Sequence, residues 1–205
     1  MRSFRRAVAG MLVLSTLVCS GCFLKSKTKK ENGYSYDDIE AVMDEFSSCK
    51  TENVEDYIHA SRQGADFKYL ICSGKEAQEF YTTGVNRLKR FPSMKISQLF
   101  YSMPYKGGCF FMVTSEETGK GNMYFKMLCK SKAVKMKEFD AEIIEADEYQ
   151  YLIYENDVYY TLIYQCGDTI LYMRVHKKSD NVVEIADAVC EKFEIISPSE
   201  WSQKE

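Results

Sequence analysis

Three strand-like runs near the C-terminus constrain the fold most strongly, because only short turns separate them. The runs are residues 149–154, 158–165 and 169–176, and each connection between them is three residues long. Along the middle run, side chains alternate in the way that places successive residues on opposite faces of a sheet. An antiparallel meander is the simplest account of this pattern.

Helical and strand patterns alternate in the first half of the chain. Residues 35–46 begin with the spacing of a helix cap and continue with apolar residues at helical spacing. A second, short helix is expected from Asn53. The run 67–72 is rich in β-forming residues, and Ser73 with Glu76 has the pattern of a capping box for a helix that ends before the next proline.

The pattern then returns to strands. The runs 96–103, 108–115 and 123–129 are rich in aromatic and aliphatic residues, and turn residues separate them. The lysine-rich residues 130–137 and the acidic residues 140–148 each fit either an exposed strand or a connecting loop.

The last helix is predicted over Asp180–Phe193, where apolar residues form a single stripe. Strands dominate the second half of the chain, while helices lie before and after them. The predicted fold class is α+β, with an antiparallel sheet and helices packed on one face, in a ferredoxin-like or related arrangement. Residues 34–197 are predicted to form a single domain, followed by a polar tail over residues 198–205.

The first 22 residues have the three-part layout of a secretory signal. Three arginines precede a 12-residue apolar run over residues 7–18, and the small residues Ser20 and Gly21 precede Cys22. A helix needs about 20 apolar residues to span a bilayer, so this run is short for a permanent anchor. Extending the run to Leu24 gives 18 residues, and an uncleaved anchor is the alternative.

The junction Ser20-Gly21-Cys22 resembles the lipobox of bacterial lipoproteins, although Cys19 stands where that family usually has leucine. The resemblance covers the signal region alone. It implies that residues 1–21 are a cleaved signal peptide and that Cys22 carries fatty acyl chains such as palmitate. Two or more acyl chains hold a protein stably on a bilayer. The expected location is therefore the extracytoplasmic face of the cell membrane, with residues 22–33 as a basic, flexible linker.

The charge distribution distinguishes this linker from the body of the protein. Its four lysines either contact anionic headgroups or form a solvated spacer. Without these lysines and the signal arginines, the chain carries 20 basic and 30 acidic residues. An acidic body argues against a nucleic-acid partner, because binding phosphates requires a basic face.

Six cysteines follow the signal region, and they lack the spacing of a metal knuckle or a C-x-x-C motif. Exported proteins often pair their cysteines, whereas free cysteines in apolar patterns pack as small hydrophobic residues. Cys129 and Cys190 lie in such patterns. Buried thiols are therefore favoured over a full set of disulfides.

No motif in the sequence indicates catalysis. His59 and His176 lack the spacing of metal-ligand pairs, and no phosphate-binding loop or nucleophile motif is present. The acidic residues between Glu142 and Glu148 lack the alternating pattern of a calcium loop. We therefore predict no catalytic residue, no metal site and no cofactor.

Tyrosines are concentrated in the C-terminal meander, and Tyr149, Tyr159 and Tyr172 are the predicted ligand-binding residues. Exposed tyrosines suit partner binding because they combine apolar area with a polar tip. The alternative is that cross-strand tyrosine pairs only stabilise the sheet. The resulting hypothesis is a non-catalytic binding module for an envelope protein or peptide. An envelope hydrolase that uses Asp and Glu residues, and a structural subunit of an envelope complex, are the alternatives.

Overall fold

A computed structural model describes residues 33–46, 48–62, 67–86, 91–103 and 107–203 of the chain. The predicted signal peptide, Cys22 and nearly all of the linker lie outside the described residues. The described strands are β1 (Cys49–Thr51), β2 (Lys68–Ser73), β3 (Ile96–Ser102), β4 (Gly108–Ser115), β5 (Ile144–Glu145), β6 (Gln150–Glu155), β7 (Tyr159–Cys166) and β8 (Thr169–His176). The helices are α1 (Tyr36–Glu45), α2 (Val54–Arg62), α3 (Gly74–Phe80, continued by a π-helical segment over Tyr81–Asn86), α4 (Gly121–Ser131), α5 (Ala133–Glu138), α6 (Asp180–Phe193) and α7 (Pro198–Trp201).

All eight strands belong to one mixed sheet, in the order β1-β2-β3-β4-β8-β7-β6-β5. The pair β1–β2 is parallel, and every other pair of neighbours is antiparallel. Strands β4 and β8 meet at the centre, where Met112 lies opposite Leu171. Each half of the chain therefore supplies four consecutive strands to one half of the sheet.

Two hydrophobic cores lie on opposite faces of this sheet. Leu162 and Ile163 are neighbours on β7 and are both fully buried, yet they belong to different cores. Helices α1 and α6 cover one face, here called the α6 side. Helices α2, α3 and α4 cover the other face, here called the α4 side.

The predicted α+β class is confirmed, but the finer arrangement differs. Helices pack on both faces rather than on one, because the central strands are apolar on both faces and need cover on both. The sheet is not antiparallel throughout, since the helical connection α2 joins β1 to β2 and makes them parallel. A ferredoxin-like arrangement is not confirmed.

Capping side chains define the helix starts. The hydroxyl of Ser35 accepts a hydrogen bond of 3.3 Å from the backbone N–H of Asp38, which confirms the predicted start of α1. The capping box predicted for α3 does not form, since Ser73 makes no side-chain cap with the described residues. Instead, Glu76 Oε1 accepts a hydrogen bond of 3.0 Å from the backbone N–H of Val54. This carboxylate therefore links α3 to the start of α2.

The strand predicted over residues 123–129 is wrong, because these residues lie in α4. Tyr124, Phe125, Leu128 and Cys129 are all buried at the three- and four-residue spacing of a helix. Their aromatic content resembles that of a strand, but the burial pattern follows the helical period. The lysine-rich residues after them continue into α5 rather than forming a strand or loop.

The C-terminal elements agree closely with the sequence pattern. Strand β8 and helix α6 have the predicted boundaries at both ends. Beyond them, Pro198–Trp201 form the short helix α7, within the segment predicted as a polar tail. Trp201 packs against the core of the α6 side, so the folded part extends past residue 197.

Candidate functional site

An open groove of about 980 Å³ lies on the α6 side of the sheet, between β6 and the connection from α6 to α7. This volume is at the upper end of the usual range for ligand pockets. Apolar side chains and carboxylates dominate its lining. The lining residues are Tyr149, Tyr151, Asp187, Cys190, Glu191, Glu194, Ile195, Ile196, Ser197, Glu200 and Gln203.

Two tyrosines form the strand side of the groove. Tyr149 directly precedes β6 and Tyr151 is the second residue of that strand, so alternation places both on the same face. Their ring centroids are 5.6 Å apart, and Tyr151 lies 6.1 Å from Tyr164 on β7. Burial raises the pKa of both Tyr149 and Tyr151, so both are neutral phenols at neutral pH.

Tyr164 helps to hold the opposite wall of the groove in place. Its buried hydroxyl donates a hydrogen bond of 2.6 Å to the carbonyl of Ile196. The backbone N–H of Ile195 donates a hydrogen bond of 3.0 Å to the carbonyl of Cys190, at the end of α6. These two bonds fix the chain after α6 against the sheet.

Glu194 ends α6 with a left-handed backbone conformation, at a φ of 57°. This conformation costs about 1–2 kcal/mol for a residue with a side chain, and glycine is the usual residue at such helix ends. Strained residues of this kind are concentrated at binding and catalytic sites. The strained residue here lies on the groove wall.

A smaller cavity of about 280 Å³, here called the inner pocket, adjoins the groove and shares Tyr149, Glu194 and Ile195 with it. Tyr34 lines the inner pocket, is 4% exposed, and stacks on Phe193 with 4.7 Å between ring centroids. Its hydroxyl has no hydrogen-bond partner among the described residues. Because a buried unpaired hydroxyl costs about 1–3 kcal/mol, the inner pocket offers an unused polar contact to a ligand.

The groove and the inner pocket are strongly acidic. Their described lining residues include six carboxylates and no lysine, arginine or histidine. The six are Asp147, Glu148, Asp187, Glu191, Glu194 and Glu200. A concave surface with one sign of charge concentrates ligands of the opposite sign, so this site favours cations.

Two of these carboxylates also build the rim of the groove. Asp187 accepts hydrogen bonds from the backbone N–H and the hydroxyl of Ser199. Glu200 accepts one of 2.8 Å from the backbone N–H of Ser197, which completes a capping box at the start of α7. Glu191 is exposed on the last turn of α6 and faces the groove.

The structure does not bring the three predicted ligand-binding tyrosines together. Tyr149 lines the groove on the α6 side. Tyr172 is 6% exposed and stacks on Phe111 in the opposite core, with 4.9 Å between ring centroids. Tyr159 is half-buried at the start of β7, where the guanidinium of Arg174 lies 4.0 Å from its ring centroid. Of the three, Tyr149 alone belongs to the candidate site.

Buried thiols are confirmed for five of the six cysteines that follow the signal region. Cys49 is exposed, and no disulfide joins any two of the six. Among the described residues, no group of three or more His, Cys, Asp or Glu side chains is placed to hold a metal ion. His176 packs edge-on against Tyr159, with 5.1 Å between ring centroids, and its Nδ1 accepts a hydrogen bond from the backbone N–H of Lys178.

Sequence reasoning missed Tyr34 and the pair Ile195-Ile196. Tyr34 comes directly before the Ser35 cap, and an apolar residue at that position commonly packs against the first turns of the helix. That rule could have identified Tyr34 as a core residue, although not as part of a pocket. The isoleucine pair lies beyond the last predicted helix, where helical periodicity gives no signal.

No protein-family model, curated protein or solved structure matches the chain. The functional inference therefore depends on the geometry and charge of the groove. A separate observation concerns the membrane: within the described ranges, every helix is too short or too polar to cross a bilayer.

Proposed function

We propose that the chain is a lipid-anchored, extracytoplasmic binding module of the cell envelope, and that its groove holds a basic segment of a protein or peptide. The anchor is supported by the lipoprotein-like junction at Cys22. The binding role is supported by the groove on the α6 side. Because different observations support the two parts, each part has its own experiment.

The observation that carries the binding role is the combination of neutral tyrosines and exposed carboxylates in one concave surface. Arginine can stack its guanidinium on a tyrosine ring and form paired hydrogen bonds with a carboxylate. Tyr149, Glu191 and Glu194 line the same groove and would offer both contacts. The protein already makes such a stack internally, between Arg174 and Tyr159.

The hydrogen bonds of two further carboxylates favour binding over catalysis. General acid–base catalysis requires a carboxyl group that can exchange a proton with the substrate. Asp187 and Glu200 instead accept hydrogen bonds from Ser199 and Ser197, and so stabilise the first turn of α7. Their contacts support a structural contribution to the rim of a binding site.

A labelled hexa-arginine peptide tests the binding role, with fluorescence anisotropy as the readout and the full chain as the titrant. Neutralising two groove carboxylates in Glu191→Gln/Glu194→Gln should weaken binding about fivefold, because an exposed ion pair contributes about 0.2–1 kcal/mol.

The matched control Glu184→Gln/Glu116→Gln removes the same charge from exposed positions outside the groove. It should leave the affinity for hexa-arginine within about twofold, since surface pairs far from the ligand contribute little. Equal weakening by both pairs of substitutions would show attraction to the net charge of the protein and would overturn the groove as the site.

Metabolic labelling with palmitate tests the anchor. The native chain should incorporate label and fractionate with membranes, whereas Cys22→Ala should lose the label and the membrane association. A Cys22→Ala protein that remains in the membrane fraction would instead show that the N-terminal segment is an uncleaved anchor.

A further inference from the structure

The charge of residues 119–137 is opposite to that of the rest of the body. This segment contains six lysines and no acidic residue. Residues 31–205 as a whole carry 20 basic and 30 acidic residues, a net charge of −10, so the remainder outside this segment has a net charge of −16. Six of these 20 basic residues therefore lie on one short segment, which forms α4 and α5.

Exposed apolar side chains lie among these lysines. Met123, Met127 and Val134 are 42%, 41% and 80% exposed, and they account for three of the six large hydrophobic residues exposed in the described part of the chain. Met123 and Met127 are four residues apart on α4, as are Lys126 and Lys130. The two pairs therefore form adjacent stripes along one face of the helix.

The orientation of α4 places both stripes outward. Its opposite face packs on the sheet through Phe125 and Leu128, which are 0% and 1% exposed. Lys126 and Lys130 are exposed, and no described carboxylate lies within ion-pair distance of either. The outer face of α4 thus presents cationic and apolar groups side by side, with its strong positive charge not neutralised locally.

We propose that the outer face of α4 and α5 docks on an anionic bilayer surface. Methionine and valine side chains would enter the headgroup region, while the flexible lysine side chains reach the lipid phosphates. Charge complementarity selects this occupant, because Lys126 and Lys130, with no described carboxylate within ion-pair distance, match the negative potential of an anionic leaflet. The inference goes beyond the proposed binding function and does not depend on lipidation of Cys22.

Tryptophan fluorescence can locate the contact on the molecule. Trp201 is the single tryptophan, so Trp201→Phe provides a silent background in the full chain. In that background, Met123→Trp reports on the proposed docking face. Val158→Trp is the matched control, because Val158 is equally exposed, at 42%, and lies in the turn between β6 and β7.

With vesicles that contain phosphatidylglycerol, the emission of Met123→Trp should shift to shorter wavelength and brominated lipids should quench it. Vesicles of phosphatidylcholine alone should produce neither effect, and the emission of Val158→Trp should not shift with either composition. A protein that associates with vesicles without any shift at Met123→Trp would overturn the proposal, as would an equal shift at Val158→Trp. The absence of any fluorescence response to vesicles would also overturn the proposal, and is the result expected if this face docks on an acidic protein instead.

The lysines provide a quantitative test with the same fluorescence readout. Each lysine near an anionic surface increases partitioning about fivefold, so Lys126→Gln/Lys130→Gln should raise the half-maximal lipid concentration about 30-fold. Glutamine has a helix propensity similar to that of lysine, so α4 is expected to remain folded. The control Lys75→Gln/Lys178→Gln removes the same charge from exposed positions elsewhere. It should change the half-maximal lipid concentration little. Equal effects of the two pairs would overturn the proposal.

Discussion

The two sides of the sheet have similar interiors and opposite exteriors. Phe110 and Phe111 are neighbours on β4 and are each 1% exposed, yet they face different cores. Outside the cores, the α6 side presents a concave surface of tyrosines and carboxylates. The α4 side presents lysines and methionines on an exposed helix. The sheet therefore separates two surfaces that would attract opposite charges.

The core and the surface are thus specified by different positions of the same elements. Alternation along the strands supplies both cores, whereas the outward positions of the helices and loops determine the sign of the charge. A cationic ligand in the groove and an anionic bilayer at α4 would lie on opposite sides of the sheet. Neither would then obstruct the other.

Alkaline pH should have the largest effect on the free energy of unfolding, and it should destabilise both cores. Burial raises the pKa of the Cys72 and Cys129 thiols, on the α4 side, from about 9 to about 12. Burial also raises the pKa of Cys190 and Tyr164 on the α6 side. The folded state holds these protons more tightly than the unfolded chain, so their stabilisation is complete below pH 9 and is lost as the pH rises towards 12.

Urea unfolding between pH 7 and pH 11, in the presence of a reductant, would measure this loss. The free energy of unfolding should fall above pH 9, and Cys72→Ala/Cys129→Ala should make that fall shallower. The double variant is expected to be less stable at pH 7, because it leaves space in the core. If the free energy of unfolding falls equally steeply with pH in the variant and the native chain, the thiols of the α4 side do not contribute to the pH dependence.

Removing one tyrosine hydroxyl on each side of the sheet should have unequal effects on stability and on peptide binding. Tyr164→Phe leaves the carbonyl of Ile196 without its hydrogen bond of 2.6 Å, and should lower the free energy of unfolding by about 2 kcal/mol. Because that bond holds the groove wall, hexa-arginine binding should weaken as well. Urea unfolding and peptide anisotropy measure the two effects.

Tyr172→Phe is the matched variant on the α4 side, where the Tyr172 hydroxyl makes no hydrogen bond with the described residues. Its effect on stability should be about 0.5 kcal/mol or less. Peptide binding should not change. A loss of peptide affinity in this variant would contradict the assignment of the ligand site to the α6 side alone.

Replacing Glu194 by glycine should combine a modest gain in stability with a loss of binding. Glu194→Gly relieves a left-handed backbone and should raise the free energy of unfolding by about 1 kcal/mol, while it removes a groove carboxylate and weakens hexa-arginine binding. Asp140→Gly tests the same conformation, at a φ of 49°, two residues after the end of α5. Its gain should be smaller, because aspartate tolerates this conformation better, and peptide binding should not change. Equal losses of peptide affinity in the two variants would show that the peptide does not bind in the groove.

The helices and strands whose apolar residues recur with an unambiguous period could be predicted from the sequence. The apolar stripe of Asp180–Phe193 and the turns around Thr169–His176 define those two elements at both ends. The strand prediction for residues 123–129 is wrong because a seven-residue run with a single charged residue, Lys126, fits either a strand or a helix. The parallel pairing of β1 was not predictable, because its three residues give no pattern of their own.

Much less of the candidate site could be predicted. The density of tyrosines points to Tyr149, and the acidic character of the neighbouring residues is visible in the sequence. The inner pocket needs Tyr34, Tyr149 and Glu194, which come from three distant parts of the chain. Their proximity depends on the strand order and on the turn after α6, and neither leaves a local signal in the sequence.

The pairing of β4 with β8 has a consequence for the timing of folding. Strand β4 ends at Ser115 and β8 begins at Thr169, so the centre of the sheet joins segments that are far apart in the chain. Until β8 is available, β4 keeps an unpaired edge and both cores stay open. Pairing over such distances is slow to form. A sheet that closes only with its last strand therefore cannot complete either core until the chain has been made as far as His176.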